Sequence, residues 1–225
     1  MLFGIFTLKE IFDALVMSFV IGLIFSDYFS RYNKKDARKI TPLSKDGHEH
    51  EYDPIKEYSK GNKVQLGPLS FNWDDLKLAI ICIAPAIILH ELGHKFTALA
   101  FGSTATFGIS YTFLGIALML KILKSPFIFL VPAFVMFDPT AVTSFQRAGI
   151  AIAGPAVNFL IFFISAAILK YTNKNKKIKL SERTILILGL TKQINLLLGI
   201  FNMIPIPPFD GGHFINGLMQ GISGL

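Results

Sequence analysis

The chain has 225 residues and a net charge of +7, and it is 52% hydrophobic but only 16% charged. Soluble domains carry about 25% charged residues, so the composition argues against a water-soluble globular domain, and its apolar runs approach the roughly 20 residues that cross a bilayer as helix. The basic residues lie in polar stretches between those runs, which points to an anionic membrane surface and excludes nucleic acid as the expected partner; Cys82 is the only cysteine, so there is neither a disulfide framework nor a cysteine-based zinc site, and it reads as a packing residue.

The first apolar run spans residues 11–29. Lys9-Glu10 precedes it instead of a basic cluster, and Ser30-Arg31-Tyr32-Asn33-Lys34-Lys35 follows without a small-residue cleavage pattern. These flanks predict a retained span, not a leader. Residues 31–75 read as a polar loop of mixed charge. Its His48 and His50 sit among carboxylates, but residues two apart do not share a helix face, so a solvated loop is expected there.

The second span, residues 76–100, carries His90-Glu91-Leu92-Gly93-His94. Histidines four apart on a helix point to one face and reach one metal ion, with the glutamate beside any water bound to it. This is the H-E-x-x-H pattern of zinc-dependent hydrolases. The apolar stretch from Leu76 to Leu89 is roughly 21 Å of helix, so the metal is expected inside a hydrocarbon core roughly 30 Å thick. Pro85 is expected to bend the span, and Lys95 to snorkel to the nearer surface.

Residues 101–143 hold β-like Ala105-Thr106-Phe107-Gly108-Ile109-Ser110-Tyr111, then two short apolar stretches separated by Lys124-Ser125-Pro126. Flanked by antiparallel spans, this region crosses twice or not at all. It is expected as a re-entrant or interfacial hairpin, partly strand, lining a wet cavity. Residues 145–171 form the third span, with Gly154 and its small neighbours permitting close helix approach and Asn158 needing a polar partner. Residues 184–204 form the fourth, with Gln193 and Asn195 within it. Pro205, Pro207 and Pro208 stop that helix, and Asp210 is expected to cap a final helix too short to span. The whole predicts one domain over 1–225, an all-α polytopic membrane protein. It has about four transmembrane helices plus a re-entrant or short β-hairpin segment after the HExxH helix.

A catalytic zinc usually takes three protein ligands and water. No third ligand follows at short spacing, and the candidates at matching depth are Asp210 and His213. With antiparallel spans the downstream ends of the second and fourth lie on one side, which brings Asp210 toward His90 and His94. Two histidines and a glutamate on one bilayer helix are costly unless something binds them, so a metal is expected.

Three stretches resemble the site-2 protease family of intramembrane zinc metalloproteases. His90-Glu91-Leu92-Gly93-His94 matches its first motif. Asn202-x-x-Pro205-x-Pro207-x-x-Asp210-Gly211 matches its second, with Phe209 where leucine is usual, and Gly154-Pro155-x-x-Asn158 resembles a motif of its intervening span. The resemblance implies one Zn2+ held by His90, His94 and Asp210, with Glu91 as general base and His213 outside the ligand set. It implies Asn158 in the site, as an oxyanion donor or as a helix–helix hydrogen bond. It implies Asn202, Pro205 and Pro207 against an extended, membrane-embedded protein substrate, for which residues 105–111 offer a strand-pairing edge. It also implies a multi-pass protein of the cell membrane with the site nearer the cytoplasmic face, whereas the basic loops after the first and third spans favour the opposite orientation. A non-catalytic metal-binding regulator or scaffold is the alternative reading, and a zinc or proton transporter using Gln193 and Asn195 a third.

Overall fold

A computed structural model of the chain describes residues 5–39, 63–66, 69–125, 133–175 and 179–224. The His48 and His50 stretch lies outside them, as does the start of the second short apolar stretch, residues 126–132. Helix α1 spans Leu8–Lys39; strands β1 (Lys63–Leu66) and β2 (Leu69–Asn72) follow, then α2 (Trp73–Ala100). Strand β3 (Ala105–Ile109), helix α3 (Tyr111–Ile122) and strand β4 (Ala133–Phe137) come next. A short 3₁₀ turn (Pro139–Ala141), α4 (Ser144–Lys174), α5 (Glu182–Asn202) and α6 (Asp210–Ser223) complete the order.

Among the described residues three helices, α2, α4 and α5, are long and apolar enough to cross a bilayer. They coincide with the second, third and fourth expected spans. Their starts are set by local chemistry. Asn72 accepts from Asp74 N–H at 2.8 Å, and Asp74 and Asp75 occupy the positive end of α2. Thr143 and Gln146 form a reciprocal capping box on α4. Large apolar side chains such as Leu160, Phe163 and Ile200 stay exposed on α4 and α5, as the outer face of a membrane protein requires. The expected first span, which falls in α1, is not among the three; α1 packs along α2, with Met17, Ile21 and Phe29 wholly buried against Leu78, Ala79 and Cys82.

The polar loop of 31–75 is shorter than expected. Residues 31–39, rich in Lys and Arg, continue α1. β1 and β2 pair antiparallel, Lys63 opposite Asn72, directly before α2. The region after α2 is not a simple hairpin. β3 and β4 pair antiparallel, Phe107 opposite Val135, but α3 lies between them in sequence, capped by Ser110 accepting from Phe113 N–H.

Lys95 does not snorkel. Its side chain is 1% exposed and ion-paired with Glu10 of α1, while its ammonium sits 4.6 Å from the Phe6 ring centroid. The partner is 85 residues upstream. Glu10 also accepts from Thr7 N–H at 2.7 Å and from Phe107 N–H at 2.6 Å. One carboxylate therefore joins α1, β3 and the motif helix. Beside it, buried Asp13 accepts from Tyr111 Oη at 2.6 Å and pairs with Lys9.

Candidate metal centre

The 3.6-residue period of α2 places His90 and His94 on one face, their Nε2 atoms 3.1 Å apart. The proline-broken end of α5 then turns the chain back so that α6 starts beside them. Asp210 Oδ2 lies 3.1 Å from His90 Nε2 and 3.3 Å from His94 Nε2. Asp210 is the first residue of α6, not its cap; Phe209 occupies the cap position, where its hydrocarbon side chain has no acceptor to offer, and the Asp210 carboxylate faces the histidines. Glycines make the return possible. A Cβ on Gly211 would lie 2.4 Å from Met203 O, and one on Gly212 2.6 Å from Ile206 C.

The remaining nitrogen of each histidine fixes its tautomer. His94 Nδ1 is 2.7 Å from Ile150 O, an atom that only accepts, so Nδ1 carries the proton. His90 Nδ1 is 2.6 Å from Asn158 Oδ1. Asn158 Nδ2 donates to Ala86 O at 3.1 Å and Asn195 Oδ1 at 2.9 Å, which settles which amide atom faces the imidazole. Both Nε2 atoms thus present lone pairs, and Asp210 Oδ2 is buried with no hydrogen-bond donor. Three acceptors that face one another need a cation at their centre. Ligand bonds of about 2.0–2.1 Å in a tetrahedron separate neighbouring ligand atoms by about 3.3 Å, close to the spacing found. His90, His94 and Asp210 therefore fit one metal ion.

Close helix packing keeps that centre open. A Cβ on Gly93, between the two histidines, would lie 2.8 Å from Ala153 O. A Cβ on Gly154 would lie 2.3 Å from His94 Nε2 and 2.7 Å from His90 Nε2, inside the ligand cluster. Only glycine at 154 lets α4 pass against the centre.

The centre opens on a cavity of about 1470 Å³, mostly apolar, lined from α1, α2, β4, α4, α5 and α6. Glu91, 8% exposed, lines it beside the histidines. Asn202 lines it too and donates to Leu198 O at 3.0 Å. Pro205 and Pro207 are exposed and lie off the wall; Pro208 and Phe209 form it instead. His213 lines the cavity, outside the three-residue ligand group. Asn158 is fully buried with both amide hydrogens donated, so it stands behind His90 and not on the cavity wall. Asn195 supports it and donates to Thr191 O at 2.9 Å. In the sequence Asn195 reads as a polar residue in a span, available to a transporter, and not as a support of the metal centre; the signal was that a second buried amide in an apolar helix needs a partner.

Residues 78–225 match the family model of peptidase family M50. The chain belongs to this family. The match spans all three site-2 protease motifs and runs from His90 past Asp210. Among its relatives, a provisionally named zinc metalloprotease of Methanocaldococcus jannaschii is 32% identical over 153 residues, covering 66% of this chain and 75% of its own. A provisionally named zinc metalloprotease of Synechocystis sp. is 30% identical over 147 residues, 65% of this chain. A zinc metalloprotease, also of M. jannaschii, is 27% identical over 140 residues, 62% of this chain. The chain spans about a third of the length of these last two relatives, 32% and 34%. No solved structure matches it.

Proposed function

We propose that this M50 chain is an intramembrane zinc metalloendopeptidase that cuts membrane-embedded protein segments. The observation that carries the reading is Glu91, on the wall of an apolar cavity, directly beside three metal-binding atoms from two distant segments. Zinc bound there would lower the pKa of a water toward roughly 7 and polarise the scissile carbonyl. Glu91 stands where it would take the proton from that water and return it to the leaving amine. His90, His94 and Asp210 hold the ion, and Asn158 acts as a positioning residue that keeps His90 in its Nδ1-protonated tautomer.

Substrate is presented in extended form beside β4. Residues 105–111 do not supply the free edge: β3 is paired with β4 on one side, and Glu10 takes its outward Phe107 N–H on the other. Because Phe107 points its N–H outward, its antiparallel partner Val135 also points its N–H and C=O away from the sheet. All of β4 lines the cavity, and no other strand among the described residues pairs with it. An extended segment adding to β4 gains main-chain hydrogen bonds beside the metal centre, with Asn202 at the same wall.

The site lies within the bilayer, in a four-helix arrangement that α1 completes, nearer the cytoplasmic face of the cell membrane. The activity is tested with purified, zinc-loaded wild type and Glu91→Gln offered a single-span substrate. Wild type is expected to release two fragments and the variant none. Equal cleavage by both proteins would sink the reading.

A further inference from the structure

Arg147 is the one lysine or arginine on the cavity wall among the described residues. It lies on α4 at a spacing of four, seven and eleven residues from Ala151, Gly154 and Asn158, which is one helix face. That face meets the metal centre at Gly154. Arg147 therefore stands seven residues, roughly 10 Å along the axis, from the ligand cluster. Its Nη2 donates to Ser144 Oγ at 2.8 Å, but its Nε is buried and has no hydrogen-bond partner. No carboxylate among the described residues pairs with it. The other charged groups of the cavity wall, Glu91 and Asp210, belong to the metal centre.

Further polar groups lie on the same wall. Gly217 presses α6 onto the first turn of α4, since a Cβ there would lie 2.8 Å from Ala148 N and 2.9 Å from Ser144 O. Asn216 and Gln220, four apart on α6, line the cavity beside that contact. A guanidinium with an unspent buried donor, on the same cavity wall as two amides, matches a carboxylate in charge and in its forked geometry. Leaving such a donor unmet is unfavourable, so the contact is made when the cavity is filled.

We propose that Arg147 is a specificity-determining residue that binds a carboxylate of the segment being cut, about three residues from the scissile bond. The distance follows from about 3.3 Å per extended residue over the roughly 10 Å between Gly154 and Arg147. The proposal rests on the peptidase reading for its site of cleavage, but the binding itself does not require catalysis. The carboxylate is a Glu or Asp side chain within the segment or the free C-terminus of a short one.

The test uses the full chain, zinc-loaded, in detergent. Single-span substrates carry Glu, Gln or Lys at each of the positions flanking the bond, and fragment masses locate the cut. Wild type is expected to prefer Glu over Gln by about tenfold or more, as a charge-assisted contact gives, at one position about three residues from the bond. Arg147→Gln should bring that ratio to about one, and Arg147→Glu should move the preference to Lys at the same position. A preference profile unchanged in the variants overturns the proposal, as does an equal loss of cleavage for every substrate. Short peptides with free or amidated C-termini separate the two carboxylate sources: an Arg147-dependent effect lost on amidation assigns the terminal one, and one that survives assigns the side chain. Binding of fluorescent Glu and Gln peptides to zinc-loaded Glu91→Gln, with and without Arg147→Gln, is read in parallel. If wild type cuts nothing yet Glu peptides bind through Arg147, the peptidase reading falls and this inference stands. If cleavage occurs with no Arg147-dependent charge preference, the inference falls and the peptidase reading stands.

Discussion

Asn158 Oδ1 accepts the Nδ1 proton of His90 at 2.6 Å, and this contact decides which nitrogen of His90 is free for metal. It also ties α2 to α4 at the depth of the centre, and Asn195 extends the tie to α5. Such partners orient the ligand and raise its basicity. Asn158→Leu leaves the His90 proton without an acceptor in a buried site. It is expected to weaken zinc binding by about 10–100-fold, measured by competition with a chelator. Asn158→Asp keeps an acceptor for His90 but loses both amide donations, so it should hold zinc better than Asn158→Leu while unfolding more readily. Equal zinc affinity in Asn158→Leu and wild type would remove Asn158 from the centre.

Gly154→Ala separates helix propensity from the site. In an ordinary helix interior alanine is about 0.8–1.0 kcal/mol better than glycine. Here the added Cβ would sit 2.3 Å from His94 Nε2 and 2.7 Å from His90 Nε2. The expected outcome is loss of stoichiometric zinc, by elemental analysis of the purified protein, with helical content by circular dichroism close to wild type. Full zinc occupancy in Gly154→Ala would contradict the close approach of α4 to the ligands.

Much of the centre is legible in the sequence because it follows from local rules. His90 and His94 are placed by helix periodicity alone. Asp210 is placed by the prolines that end α5 and by antiparallel helix order. What is not legible is contact across distant segments. Nothing in the spacing of Asn158 shows whether its amide turns to a substrate or to His90 Nδ1; the Ala86 and Asn195 acceptors decide that. Lys95 reads as a snorkelling residue until Glu10, 85 residues away, supplies a buried partner. The strand-like residues 105–109 are visible as composition, but their pairing with 133–137 across α3 is a long-range choice. Arg147, in the first turn of α4, is singled out only by the cavity beside it.

The orientation of the chain is open to a direct measurement. The downstream end of α2 and the upstream part of α4 meet at Gly93 and Ala153, so the start of α2 and the end of α4 share the other side. Cysteines placed at Lys35 and Lys174, in a Cys82→Ser background, should label together with an impermeant maleimide. With the metal centre nearer the cytoplasm, both should label from outside intact cells. Labelling only after permeabilisation would favour the orientation that the basic loops suggest.

The Glu10–Lys95 pair predicts an asymmetry in stability. Both side chains are buried, at 4% and 1% exposure, and removing one partner of a buried pair costs about 3–5 kcal/mol. Glu10→Ala strips an acceptor from Lys95, Thr7 N–H and Phe107 N–H together. Lys95→Met leaves the carboxylate with its two backbone donors and keeps an unbranched chain against Phe6. Thermal unfolding in detergent should therefore place Glu10→Ala below Lys95→Met, and both below wild type. In Glu10→Gln the amide oxygen still accepts from Phe107 N–H, but the Lys95 charge is left unpaired, so combining it with Lys95→Met should recover part of the loss. Additive losses in that double variant would mean that the two charges do not stabilise one another, and that α1 is held on α2 by the Met17, Ile21 and Phe29 packing alone.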